Sequence, residues 1–242
     1  MTVLLLTATP LEQTRLTSEL ADTVCLDVHG RTWRHGLCGG RTVDLVETGI
    51  GAVNTAHAVT RYLEARQPDM VLQAGVAGAY ADSGLAVGDL AVAAEEVHGD
   101  LGVVTADGWR PADEIGIPVV HVGDPPLYNR YPADEGLGRR AVDVLRAAGM
   151  GQVSRGPFIT VQACSGTAAL GVERASRVPG ALCENMEGAA AAQVCCLYDV
   201  PFVEVRAISN AVEDRDLSRW DLPLASRRAQ EAALCLLQEL HV

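Results

Sequence analysis

Two stretches of this chain carry side chains suited to reacting with a small molecule. In the first, Glu184-Asn185-Met186-Glu187-Gly188 runs into four alanines; in the second, Pro201 opens the apolar run Phe202 to Ile208, which contains Arg206 and ends in Ser209 and Asn210. A guanidinium inside an apolar run needs an anionic partner, either a carboxylate of the protein or a ligand. A further acid, Glu12, follows the apolar run Val3 to Thr7 and falls in the first turn of a segment opened by Pro10. Carboxylates so placed accept and donate protons or hold hydroxyl groups, and an amide pairs with the donors and acceptors of a bound group.

The elements that must carry these groups alternate. Val3 to Thr7, Asp44 to Thr48, Met70 to Ala74, residues 156–163 and Phe202 to Ile208 read as strands. Pro10 to Leu20, Ala52 to Ala65, 134–148, the segment after Met186-Glu187-Gly188 and 222–240 read as helices. Gly188 and the alanines after it let a helix approach a sheet closely. Gly49-Ile50-Gly51 and Gly75-Val76-Ala77-Gly78 read as turns at strand ends, where backbone amides can meet a ligand. Residues 99–138 are rich in Pro, Gly and Asp and read as a functional loop. The order predicts one α/β domain over residues 1–242, with a mixed, largely parallel central sheet flanked by helices. In such sheets ligands bind beyond the carboxyl ends of the strands, which is where Arg206, Ser209 and Asn210 lie.

Composition narrows the partners. The 242 residues are 48% apolar and 21% charged, enough for a sizeable core, and the net charge of −12 disfavours nucleic acid and anionic membranes. An anionic ligand would have to be met by local arginines. Met1 to Thr7 lacks the basic region and length of a signal peptide, and no apolar run approaches about 20 residues, so a cytoplasmic location is expected. Seven cysteines, at 25, 38, 164, 183, 195, 196 and 235, form no Cys-x-x-Cys pair and read as reduced core thiols. The six histidines, at 29, 35, 57, 98, 121 and 241, show no metal-ligand spacing.

Met186-Glu187-Gly188, Val205-Arg206-Ala207-Ile208-Ser209 and Gly75-Val76-Ala77-Gly78 together resemble the nucleoside phosphorylase and nucleosidase superfamily. Glu12 after the first strand and the Gly49-x-Gly51 turn stand in the order found in methylthioadenosine nucleosidases. Within the superfamily, Ile208-Ser209-Asn210-x-Val212-x-x-Arg215-Asp216-x-x-x-Trp220-Asp221-Leu222 is most similar to the futalosine hydrolases of menaquinone biosynthesis. The resemblance implies hydrolysis of an N-ribosyl bond, here releasing hypoxanthine from futalosine, with a nucleoside and water as the small-molecule partners, no metal or other cofactor, and at least a homodimer.

It also implies roles. Glu12 would position and deprotonate water, Glu187 would hold the ribose hydroxyls and stabilise an oxocarbenium-like sugar, and Arg206 would hold the water and Glu12. Asn210 stands where the 6-aminopurine nucleosidases carry Asp; its NH2 can donate to a 6-oxo group and its C=O can accept from a protonated ring nitrogen, which suits hypoxanthine. Gly75, Val76, Ala77 and Gly78 would contact base and ribose, with Val76 replacing the usual hydroxyl residue. Met186 would floor the ribose and Ser209 would flank the base site. The family's base-stacking aromatic is not evident around Ala163-Cys164-Ser165, which leaves Cys164 and Phe158 as candidates there. Arg130 and Arg215 are candidates to meet the carboxylated aromatic tail of the substrate.

Ordinary readings stand beside these. Glu12 and Glu187 are also plain early-helix acids, Arg206 is also a structural ion-pair partner, and Asn210 is also a turn former. The first rival activity is phosphorolysis, but the chain reads Thr7-Ala8-Thr9-Pro10-Leu11-Glu12 where many phosphorylases build a Gly-Asp-Pro-x-Arg anion site, and Gly123-Asp124-Pro125 lacks that strand context. A nonenzymatic nucleoside-binding protein on the same fold is the rival of a different class.

Overall fold

The computed structural model describes residues 1–122 and 124–240, so Gly123 of the Gly-Asp-Pro tripeptide and His241 lie outside the described residues. In chain order the elements are β1 (Thr2–Thr7), α1 (Thr14–Glu19), β2 (Ala21–Val28), β3 (Arg31–Cys38), β4 (Arg41–Glu47), α2 (Ala52–Ala65) and β5 (Met70–Ala79). Then come β6 (Leu90–His98), β7 (Gly102–Thr105), β8 (Gly108–Pro111), β9 (Arg130–Pro132), α3 (Glu135–Ala147), β10 (Val153–Thr160) and α4 (Ala168–Ser176). β11 (Cys183–Asn185), α5 (Gly188–Tyr198), β12 (Phe202–Ala211) and α6 (Leu222–Glu239) complete the order.

The main sheet runs β11-β10-β6-β12-β5-β1-β4-β3-β2, with β9 added on β6. Its pairs are parallel from β4 through β1 and β5 to β12 and from β6 through β10 to β11, and antiparallel where β12 meets β6 and in the β2-β3-β4 meander. The sheet is mixed, as the strand order implies. Val3 to Leu6 and Met70 to Leu72 are unbroken apolar runs because both faces are covered: each of these residues is at most 1% exposed. On one face Leu16 of α1, Leu137 and Leu145 of α3 and Leu234, Leu236 and Leu237 of α6 build a core; on the other, Val59 and Tyr62 of α2 pack with Ala189, Ala191 and Ala192 of α5.

Two features of the sheet shape the site. β11 pairs parallel with β10 and also antiparallel with the far end of β5, through Cys183 with Ala79 and Glu184 with Gly78, so the sheet curls until its edge meets its centre. The register of β12 against β5 also shifts between Ile208 and Asn210, a bulge that lets consecutive side chains, Ser209 and Asn210, reach the same cavity.

Several sequence expectations change. Gly75-Val76-Ala77-Gly78 is no turn, because β5 continues to Ala79 with backbone pairing to β12 on one side and β11 on the other. Pro10 to Leu20 divides into a 3-10 turn, Pro10–Gln13, and the short α1. β2, β3, the central strand β6 and α4 carry no strong periodic signal and escape a sequence reading, and the loop 99–138 contains the β7-β8 hairpin and β9.

Candidate active site

Glu12 projects from the 3-10 turn that follows β1, and backbone geometry dictates its orientation. Its Oε2 accepts hydrogen bonds from Ala8 N (3.1 Å), Thr9 N (2.9 Å) and Thr9 Oγ1 (2.9 Å), and its Oε1 accepts one from Val76 N on β5 (3.0 Å). The N–H donors at the start of the turn are thereby satisfied by the acid itself. Glu12 is only 4% exposed, and burial pushes its carboxyl above the ordinary range, more than the Arg206 guanidinium pulls it down; Glu187 adds to the rise.

Arg206 is the junction of the acids. Its Nε donates to Glu204 Oε1 (2.7 Å), and its Nη1 donates to Val76 O (3.2 Å) and Glu187 Oε2 (3.3 Å). Burial alone would lower its pKa, but Glu204, Glu187 and Glu12 hold it above its usual value. The remaining Glu187 oxygen, Oε1, accepts from Gly51 N (3.0 Å), so the Gly49-x-Gly51 turn turns its amide to a catalytic candidate rather than to open space. Gly51 has φ +91°, a left-handed conformation that suits glycine. Gly75 answers a different need: a Cβ there would stand 2.6 Å from Arg206 Nη1 and 2.7 Å from Glu12 Oε1, so only glycine lets guanidinium and carboxylate meet over this strand.

These groups form one end of a cavity of about 320 Å³ whose lining also includes Val76, Met186, Asn210 and Trp220. At its other end Asn210 is wired on both sides. Its Oδ1 accepts from Ser209 Oγ (2.7 Å) and its Nδ2 donates to Ala211 O (2.9 Å). A backbone carbonyl only accepts, so the amide orientation follows, and one N–H of Nδ2 remains for a ligand. Across Gly78 stands Glu184, whose carboxylate accepts from Ser165 N (2.8 Å) and Ser165 Oγ (2.6 Å) and lies 3.7 Å from Arg174 Nη1.

Of the residues singled out in the sequence, Glu12, Val76, Ala77, Gly78, Met186 and Glu187 line the cavity. So do Cys164, Arg206, Ser209, Asn210 and Arg215, the last stacked 5.0 Å from the Trp220 ring. Gly75 lies behind that lining, where its missing Cβ makes room for Arg206 and Glu12. Phe158 is fully buried on β10 in the core shared with α5 and lines no part of the cavity, so the stacking role considered for it does not fit. Arg130 is paired with Glu95 on the edge strand β9 and borders a separate cavity beside Trp109 and Arg177, away from the tail position considered for it.

The sequence reading gave no role to Glu184 and Asn185, although they open the first stretch singled out, and missed Glu204. Glu204 had a signal: two residues apart on a strand, it shares a face with Arg206, so the guanidinium's partner was in its own run. Glu184 had no signal for a role of its own, because only the closure of β11 on β5 aims it at the cavity.

A family model described as the phosphorylase superfamily matches residues 2–240. The chain is 37% identical over 207 residues to the futalosine hydrolase of Thermus thermophilus, spanning 86% of this chain and 85% of that one. It is 35% identical over 210 residues to the 5'-methylthioadenosine/S-adenosylhomocysteine nucleosidase of Chromohalobacter salexigens, spanning 86% and 83%. It also superposes with a TM-score of 0.85 on the solved nucleosidase of that name from S. pneumoniae, held with a transition-state inhibitor, at 27% identity over 100% of both chains.

Proposed function

The chain belongs to the phosphorylase superfamily, and from that premise we propose that it hydrolyses the N-glycosidic bond of a purine nucleoside, with futalosine as substrate and hypoxanthine and dehypoxanthine futalosine as products. The observation that carries the choice of substrate is the orientation of Asn210. Its remaining N–H is a donor, matched to the O6 acceptor that only a 6-oxopurine offers and mismatched to the 6-amino group of adenine; N7 accepts in both bases and does not discriminate. Glu184, in the same wall, offers an acceptor to the N1–H that a 6-oxopurine carries and a 6-aminopurine lacks. Mispairing in a buried site costs about 1–3 kcal/mol for each group left unsatisfied, enough to discriminate strongly.

At the other end, Glu187 has one protein donor on each oxygen and keeps a lone pair on each for the ribose hydroxyls. Its charge stabilises the oxocarbenium-like sugar as the base departs. Glu12 Oε1, held by a single backbone donor, takes the proton of the attacking water. Arg206 fixes Glu187 and balances the acids. Nε and Nη1 of this guanidinium are engaged by Glu204, Val76 O and Glu187, and a phosphate nucleophile in the water's place would stand against the Glu12 carboxylate, which favours water over phosphorolysis. Arg215 on Trp220 is the cation within reach of an anionic tail. Ile50, half exposed on the cavity rim, and Val53 nearby, 82% exposed, present an apolar face suited to a second copy of this chain, so we assign a homodimer.

The competing reading is a 6-aminopurine nucleosidase, favoured by the relatives named 5'-methylthioadenosine/S-adenosylhomocysteine nucleosidase. Incubating the enzyme with futalosine, aminofutalosine and methylthioadenosine, with and without phosphate, separates them. Hypoxanthine release from futalosine with free sugar and no phosphate dependence is the expected result. Faster release of adenine from methylthioadenosine would overturn the substrate assignment, and ribose 1-phosphate would overturn hydrolysis.

A further inference from the structure

Behind the cavity lies a second pair of acids that the reaction does not touch. Glu96 on β6 and Glu204 on β12 are both 0% exposed. Glu96 Oε2 accepts from Thr160 Oγ1 (2.7 Å) and its Oε1 from Asn185 Nδ2 (2.7 Å). Glu204 Oε1 accepts from Arg206 Nε (2.7 Å), while its Oε2 is buried without a donor from any other group. The two carboxyls face each other over Gly188, where a Cβ would stand 2.0 Å from Glu96 Oε1 and 2.5 Å from Glu204 Oε2, so these two oxygens lie close together.

Two ionised carboxylates cannot share a dry contact, and the unpartnered Glu204 oxygen needs a donor. A single proton between them meets both requirements. It belongs on Glu96, because Glu204 has the Arg206 guanidinium against it and Glu96 has only a hydroxyl and an amide. Burial and the neighbouring Glu204 charge hold Glu96 well above the usual carboxylate range, in the same sense. The other titratable groups near the pair are Cys183, whose buried thiol is pushed up, and, beyond Arg206, Glu187 and Glu12.

We infer that Glu96 and Glu204 are a proton-sharing pair, neutral at Glu96 and charged at Glu204, that positions Glu187 along two routes. Glu204 anchors Arg206 by Nε and so aims Nη1 at Glu187. Glu96 holds the amide of Asn185, whose Oδ1 accepts from Glu187 N (2.9 Å) and Gly188 N (2.7 Å), the donors that open α5. Neither acid lines the cavity, so both are positioning residues, and their effect on turnover rests on the nucleosidase reading of the site while their protonation does not.

The asymmetry makes the test. Glu96→Gln keeps a donor for Glu204 and loses only the bond from Asn185, so kcat should stay within about fivefold of the parent, the worth of one neutral hydrogen bond. Glu204→Gln leaves Arg206 Nε with a neutral acceptor and should lower kcat by about 10²-fold through misplacement of the acids. Equal losses in the two variants, or a larger loss in Glu96→Gln, would overturn the assignment of the proton. Infrared spectra at about pH 8, where ordinary carboxyls are ionised, supply a readout that needs no substrate and no activity. A protonated-carboxyl stretch present in the parent and absent from Glu96→Gln is expected; a parent spectrum without it would sink the pair even if the enzyme cleaves futalosine, and its presence would stand even if the enzyme cleaves something else.

Discussion

The two ends of the cavity solve opposite problems with different material. At the end proposed to hold the ribose, Glu12, Glu187 and, from behind the lining, Glu204 are gathered around the Arg206 guanidinium, and every oxygen of Glu12 and Glu187 is tied to a backbone amide or to that cation. At the base end a neutral amide, Asn210, is fixed by a serine hydroxyl and a carbonyl, with Glu184 opposite. Charge stabilises a developing cation strongly but reads shape poorly; a neutral amide adds little to rate but rejects a base whose donors and acceptors are exchanged. The ribose end should therefore control how fast the bond breaks, and the base end which nucleoside is accepted.

The sharpest way to break that division is Glu12→Gln. Loss of general-base help should lower kcat by about 10²- to 10⁴-fold with the choice between oxo and amino substrates unchanged. Retention of more than about a third of the parent kcat would remove Glu12 from the chemistry. Asn210→Asp should do the reverse, lowering kcat/KM for futalosine by about two to three decades and admitting aminofutalosine, because a carboxylate faces the 6-oxo group acceptor to acceptor. An unchanged ratio of the two substrates would show that the base end does not choose. Gly75→Ala probes the ribose end from behind: its Cβ collides with Arg206 and Glu12, and displacing either by about 1 Å should cost about 10²-fold in kcat while the folded state persists. Near-parent turnover would mean that the two side chains relax without harm.

A smaller effect comes from pH. In the proposed reaction Glu12 acts ionised, and burial raises its pKa above that of an ordinary carboxylate, so kcat/KM should fall about tenfold per unit below that raised value, an acid limb displaced upward. Stability should run the other way. A carboxyl raised in the folded state adds stability that is complete below its unfolded pKa and is lost as pH rises through the folded value, so activity appears over the window in which this contribution fades. Glu12→Gln should remove the acid limb; persistence of the limb would assign it to another group. The smallest effect is expected at Arg130→Ala, which should leave kcat/KM for futalosine within about twofold, since the residue is a surface partner of Glu95. A large rise in KM would place the substrate's tail at Arg130 rather than at Arg215.

Much of the proposed ribose end is legible in the sequence alone. Glu12 behind Pro10, Glu187 at the start of an alanine-rich helix and Arg206 in a buried strand are recognisable because local rules of capping, close packing and strand burial place them, and these rules act over a few residues. Helix Ala52–Ala65 was legible for the same reason, its apolar spacing being its own. What the sequence could not decide was whatever depends on which strands become neighbours. That Gly75 to Gly78 is strand rather than turn, that Phe158 points into the core and that Arg130 lies at an edge follow from pairings of β5, β10 and β9 with partners far along the chain. The base end is the extreme case. Ser209 and Asn210 both reach the cavity because of a bulge, and Glu184 faces them because β11 closes on β5. Side-chain chemistry is written residue by residue, so the sequence by itself determined what reactions this protein has the groups for. Strand registry is a property of the whole sheet, so only the tertiary structure decided which of those groups meet.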